Sequence, residues 1–167
     1  MPFRLTAALW CAAALTLLAL AAPAASADTI YVSNEKDNTI TVLDGASLTP
    51  VKTIPVGQRP RGILLSKDEG SLYVCASDSD HIEVLDLAEG KVVRTLPSGT
   101  DPEFFALDPG GRLLYVANED DNLVTVVDIR TGTVVTEIPV GVEPEGWASA
   151  RTGNISSIPR RRPTWRT

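Results

Sequence analysis

Residues 73–102 read YVCASDSDHIEVLDLAEGKVVRTLPSGTDP, and five fixed points in this stretch recur at one distance on both sides. Tyr73-Val74 is matched by Tyr31-Val32 and by Tyr115-Val116, 42 residues away in each direction. The same spacing links Asp86 to Asp44 and Asp128, Pro97 to Pro55 and Pro139, Gly99 to Gly57 and Gly141, and Pro102 to Pro60 and Pro144. Landmarks that keep one spacing without an insertion define an internal repeat, which limits the fold to architectures that stack one supersecondary unit.

Within each unit the apolar residues alternate: Ile40 and Val42, then Ile82 and Val84, then Val124 and Val126. Alternation of β-branched residues with period two predicts strands with one face packed inward. Turn-forming clusters separate them, among them 34–38 (Asn-Glu-Lys-Asp-Asn), 67–70 (Lys-Asp-Glu-Gly) and 108–111 (Asp-Pro-Gly-Gly), where Gly, Asn and Asp accept the required dihedrals. The middle unit predicts four strands, over 61–66, 71–76, 81–87 and 91–96. Four short antiparallel strands in a repeat of this length make one blade, so the expected fold class is all-β, a β-propeller of four-stranded antiparallel blades. A β-solenoid has a much shorter period, and a sandwich does not repeat its sequence.

The segments Tyr31-Val32-Ser33-Asn34, Tyr73-Val74-Cys75-Ala76 and Tyr115-Val116-Ala117-Asn118 resemble the YVTN motif of YVTN-type, YncE-like β-propellers. The junctions 57–62 (Gly-Gln-Arg-Pro-Arg-Gly) and 141–146 (Gly-Val-Glu-Pro-Glu-Gly) are similar to that family's blade connections. This resemblance spans Thr29 to Gly146 and, within the family, is closest to exported propellers associated with PQQ-dependent alcohol catabolism. It implies an exported, non-enzymatic binding or accessory propeller whose partner is a small polar ligand or a periplasmic protein such as a quinoprotein dehydrogenase system. The same resemblance also includes lactonases, d1-haem domains of nitrite reductase and cell-surface interaction proteins, which stand as alternatives.

Charge and hydropathy place this repeat in the chain. The 167 residues carry a formal net charge of -6, which gives no reason to expect nucleic-acid binding. An apolar run from Leu5 to Ala22 follows Arg4 and ends at Ala25-Ser26-Ala27, so 1–27 reads as a cleaved secretory signal in preference to an uncleaved anchor. No membrane span is then expected after cleavage, and the product is expected to be periplasmic or secreted. Cys11 falls in the signal, behind a Trp unsuited to a lipoprotein box. Cys75 then stands alone and reads as a small buried strand residue.

The repeat fails after Gly146. Adding 42 to Tyr115 calls for Tyr-Val at 157, where the chain has Ser157-Ile158. Residues 28–146 hold 9 basic and 21 acidic groups, whereas 147–167 hold five Arg and no acid. Trp has a single codon, and restoring one A before that of Trp147 lets the following bases read Met-Gly-Val-Ser-Pro-Asp-Gly, the turn the family would place there. Residues 147–167 are therefore expected to be a disordered basic tail, read out of frame from a longer propeller gene. Fewer than three blades remain, and the open blade faces and sheet edge favour self-association.

The sequence offers little catalytic chemistry. It contains no haem-attachment, Walker or zinc spacing and no nucleophile elbow, so no catalytic residue, metal or cofactor is expected, and the chain reads as not an enzyme. His81, beside Asp80, reads as a solvated loop residue. The acidic turns at 78–80 and 118–122 lack the ligand pattern of a calcium loop. Asp44, Asp86 and Asp128, repeated in every unit, are expected to bind turn amides. Positions that differ between units are more informative: Arg61, Glu103 and Glu145 share one repeat position, and Arg59, Asp101 and Glu143 share another. Both lie at the start of a first strand, which lines the central channel in propellers. These six are the candidate residues for a polar ligand or partner loop, against the alternative of a solvated rim.

Overall fold

The computed structural model describes residues 28–146, together with the backbone of two short strands beyond them. The expectations for 1–27, and for the remainder of 147–167, fall outside the described residues. Three antiparallel sheets follow one another along the chain. The first contains β1 (Thr29–Asn34), β2 (Thr39–Asp44) and β3 (Pro50–Pro55) in that order. The second contains β4 (Pro60–Leu65), β5 (Ser71–Ala76), β6 (His81–Asp86) and β7 (Lys91–Pro97), and the third β8 (Pro102–Leu107), β9 (Leu113–Asn118), β10 (Leu123–Asp128) and β11 (Thr133–Pro139). β12 (Ala148–Ser149) and β13 (Ile155–Ser157) form a separate antiparallel pair. The four strands expected in the middle unit are all present, and the first sheet begins at the second strand of the unit.

The repeat is obeyed below the level of residue type. Tyr31 pairs with Val42, Tyr73 with Val84 and Tyr115 with Val126. A register shift falls at Val42/Leu43, Val84/Leu85 and Val126/Val127, so each blade is bent at the same place. Left-handed backbone recurs at Asn38, Asp80 and Asn122, and again at Arg59, Asp101 and Glu143. Asp44 accepts bonds from the amides of Ala46 and Ser47, Asp86 from Glu89, and Asp128 from Arg130 and Thr131, which is the turn-closing role expected of them.

The core lies between blades. Ile40, Val42 and Ile54 of the first blade meet Leu72, Val74 and Leu85 of the second. On the other face of the second blade, Tyr73, Cys75, Ile82, Val84 and Leu96 meet Phe105, Leu114, Val116, Val127 and Ile129 of the third. The expectation of one inward face per strand therefore fails for β5, where residues 72–76 are all buried: a blade stacked between two others has no solvent face. Glu83 is buried in β6 for the same reason and is satisfied by the amide of Gly57, 2.8 Å from Oε2. His81 also departs from expectation. It opens β6, half-buried, with Nδ1 2.7 Å from the Ser79 carbonyl. Cys75 is buried in β5 as expected, and burial pushes its thiol pKa well up.

The first blade lacks a neighbour on one side among the described residues. Ile30 and Val32 are 37% and 40% exposed, whereas their equivalents Leu72 and Val74 are 1% and 0% exposed. β1 packs beside β4, and β4 beside β8, so the innermost strands and the connections leading into them converge on one region.

Candidate functional site

Each of the three junctions holds one residue in the left-handed conformation: Arg59 at φ 53° before β4, Asp101 at φ 52° before β8, and Glu143 at φ 53°. The conformation costs a non-glycine residue about 1–2 kcal/mol, and here it is held by a repeated bond. The amide of Arg59 donates to Asn38 Oδ1 (2.9 Å), that of Asp101 to Asp80 Oδ1 (3.0 Å) and that of Glu143 to Asn122 Oδ1 (3.0 Å). The carboxamide or carboxylate of one turn thus fixes the direction in which each junction side chain leaves the backbone.

Two of these junctions carry opposite charges at both variable positions, and they meet. Arg59 Nη1 lies 3.0 Å from Asp101 Oδ1, and Arg61 Nη2 lies 2.6 Å from Glu103 Oε2. Each pair joins residues one repeat apart, so the two bonds form parallel rungs between the second and third blades. Arg59 also reaches Asp78 in the short 3₁₀ turn Ser77–Ser79 (3.2 Å), Glu103 (3.3 Å) and Glu35 in the β1–β2 turn (3.6 Å), and Arg61 reaches Glu35 at 3.7 Å. Partial burial works against the charge on Arg59, but Asp78, Asp101 and Glu103 outweigh it and raise its pKa.

Glu103 is the most enclosed member, its side chain only 4% exposed. Desolvation is the largest influence on it; with the nearby Glu119 and Asp101 carboxyls it outweighs the pull of Arg61 and raises the Glu103 pKa to about 7. Asp101, Glu103 and Glu119 bring carboxylate oxygens within 4.8 Å of one another, the set among the described residues with a spacing suited to a cation. Arg59 and Arg61 already engage two of its members, so guanidinium groups supply the balancing charge. Glu119 was legible only as part of the acidic turn at 118–122; the fold brings that turn against β8.

Beside the rungs opens a recess of about 450 Å³ lined by Ser33, Glu35, Pro60, Arg61, Glu103, Phe104 and Glu145. Of the six sequence candidates, Arg59, Arg61, Asp101 and Glu103 form one network, Glu145 joins Arg61 and Glu103 at the recess wall, and Glu143 lies exposed in the next junction, its amide bonded to Asn122. Glu35, Asp78 and Phe104 were missed. Glu35 and Asp78 sit in turns that were read only for their turn chemistry, and Phe104 is a lone departure from Gly62 and Gly146 at the equivalent positions.

Sheets of four antiparallel strands stacked face to face at a 42-residue period define a β-propeller architecture, here with an incomplete ring among the described residues. The sequence profile of the YNCE-like beta-propeller family matches residues 4–120, and the chain belongs to that family. A search of curated proteins finds no match. Among solved structures, the chain is similar to the Kuenenia stuttgartiensis Hydrazine Synthase, with 23% identity and a TM-score of 0.70 over 75% of this chain. The match spans 36% of that chain, and at this identity it shows the shared fold.

Proposed function

We propose that this protein is an exported, non-enzymatic binding or accessory propeller that serves PQQ-dependent alcohol oxidation in the periplasm, with recognition at the recess beside β4 and β8. The observation that carries the recognition site is the pair of charge-reversed rungs. The scaffold residues repeat from blade to blade, while the junction positions change sign, and Arg61, Glu103 and Glu145 among them line one recess. Functional groups grafted on a repeated scaffold are expected to sit where the repeats differ. The tie to quinoprotein chemistry and to export comes from the blade motifs and the N-terminal apolar run.

The test is binding of the purified full chain to a purified PQQ-containing alcohol dehydrogenase by interferometry. Saturable binding, weakened at least tenfold by Arg61→Ala, is expected. Binding that is absent, or that Arg61→Ala leaves unchanged in a folded variant, overturns the reading. Hydrolysis of a lactone or a Soret band in the purified chain would overturn its non-enzymatic part.

A further inference from the structure

Glu83 is a buried carboxylate in a position that the other two blades fill with a hydroxyl, Thr41 and Thr125. The change does not come alone. Ala76 stands where the other blades have Asn34 and Asn118, and His81 where they have Thr39 and Leu123. These three departures share one corner of the second blade, since Ala76 pairs with His81 in the register of β5 on β6 and Glu83 follows two residues further along β6.

The third blade shows what the usual residues do. Asn118 and Thr125 are fully buried, and the Asn118 carboxamide accepts the amide of Gly99 at Oδ1 (3.0 Å) while donating through Nδ2 to Thr125 Oγ1 (2.8 Å). The first blade keeps the same relay, with Asn34 Nδ2 2.7 Å from Thr41 Oγ1. In the second blade the carboxamide is missing and a carboxylate reaches the equivalent amide instead. Gly57 N–H donates to Glu83 Oε2 at 2.8 Å, and His81 Nε2 lies 3.8 Å from Oε1. One longer side chain thus replaces a pair. The space is shared: a Cβ on Gly57 would lie 2.8 Å from Ala76 Cβ and 3.0 Å from Glu83 Oε1, so a longer residue at 76 competes with Glu83 for it.

The amide concerned opens the junction that carries Arg59 and Arg61. The first blade holds this junction through Asn38, whose carbonyl accepts the Val56 amide (3.0 Å) and whose Oδ1 accepts that of Arg59 (2.9 Å). The second blade holds it through Glu83 at Gly57 and through the Ser77 amide at the Arg59 carbonyl (3.2 Å). A carboxylate acceptor makes an amide bond about twice as strong as a neutral one. Resting on the recess as the recognition site, we propose that Glu83 is a positioning residue for it. Through the Gly57 amide it sets the junction from which Arg59 and Arg61 reach Asp101 and Glu103, and Ala76 with Glu83 is one unit exchangeable for the Asn–Thr pair of the neighbouring blades.

The test is hydrogen exchange in the full chain, reading the Gly57 amide with the Gly99 amide as internal reference. Glu83→Thr is expected to speed exchange at Gly57 about tenfold and to leave Gly99 unchanged. Ala76→Asn combined with Glu83→Thr should return Gly57 to the parent rate. Unaltered protection of Gly57 in Glu83→Thr, or a double variant no slower than the single one, would overturn the exchangeable unit. The positioning role is read from coupling to Arg61. The drop in urea midpoint on Arg61→Ala should shrink to about half in the Glu83→Thr background and recover in the double background; strict additivity would overturn the role. Affinity for the dehydrogenase should follow the same order, weakened about fivefold by Glu83→Thr and restored in the double variant. Affinity unchanged by Glu83→Thr in a parent that binds would overturn the role as well. A parent that fails to bind the dehydrogenase would remove the recess reading alone, because exchange at Gly57 and coupling to Arg61 are measured without a partner and still decide what Glu83 does.

Discussion

Leu48 occupies the β2–β3 turn at φ 55°, in the repeat position that Gly90 and Gly132 fill at φ 64° and 70°. Its side chain is exposed and anchors nothing in the core. Leu48→Gly is therefore expected to stabilise the chain by about 1 kcal/mol, the left-handed penalty removed less the added chain entropy; a lower midpoint in urea would contradict this. Glu103 makes a second residue-scale prediction. Its folded pKa of about 7 lies above the ordinary value of 4.5, so the folded state holds the proton more tightly than the unfolded state between these limits. Its contribution is fully present below about pH 4.5 and is lost as pH rises through about 7. Urea midpoints of the parent should fall relative to Glu103→Gln across that window, and a difference independent of pH would refute the assignment.

At the scale of the element, equivalent strands carry unequal loads. Ile30 in β1 and Leu72 in β5 hold the same repeat position, but one faces solvent and the other is enclosed between blades. Leu72→Ala is expected to cost about 2–4 kcal/mol, whereas Ile30→Ala should cost less than about 1 kcal/mol. Equal losses in chemical denaturation would mean that the β1 face is covered in solution. The alternation of Ile82 with Val84 was enough to read β6 as a strand, whereas its register against β5 came with the structure. Burial of both faces was not legible, because period-two alternation reports side-chain direction and is silent on how many sheets flank the strand.

At the scale of the whole molecule, stacking gives the middle blade two neighbours and, among the described residues, leaves apolar surface on the outer ones. Ile30 and Val32 are exposed on the first blade, and Ile138 on the third is 43% exposed where its equivalents Ile54 and Leu96 are 3% and 1%. Exposed apolar blade faces favour association of copies. Light scattering should show the mass per particle rising with concentration, and Ile30→Lys with Val32→Lys should reduce it towards one chain. A parent that already has the mass of one chain at all concentrations would refute this.

The 42-residue period by itself determined the blade, its four strands, the turn-closing role of Asp44, Asp86 and Asp128, and the positions at which blades differ. Such features are local: they depend on alternation, turn chemistry and spacing within one unit. The sequence also marked Arg59, Arg61, Asp101 and Glu103 as variable junction residues, but not that they would pair, nor that Glu35, Asp78 and Glu119 would join them. The bonds from Arg59 to Asp101 and Glu103 cross from blade to blade over separations of 42 and 44 residues, and that to Asp78 joins two turns of one blade 19 residues apart. The stacking of β4 against β8 brings Arg59 and Arg61 within bonding distance of Asp101 and Glu103, and that enclosure strips water from Glu103 and raises its proton affinity. Local pattern fixes the unit, whereas charge neutralisation and desolvation depend on what the neighbouring unit places beside it.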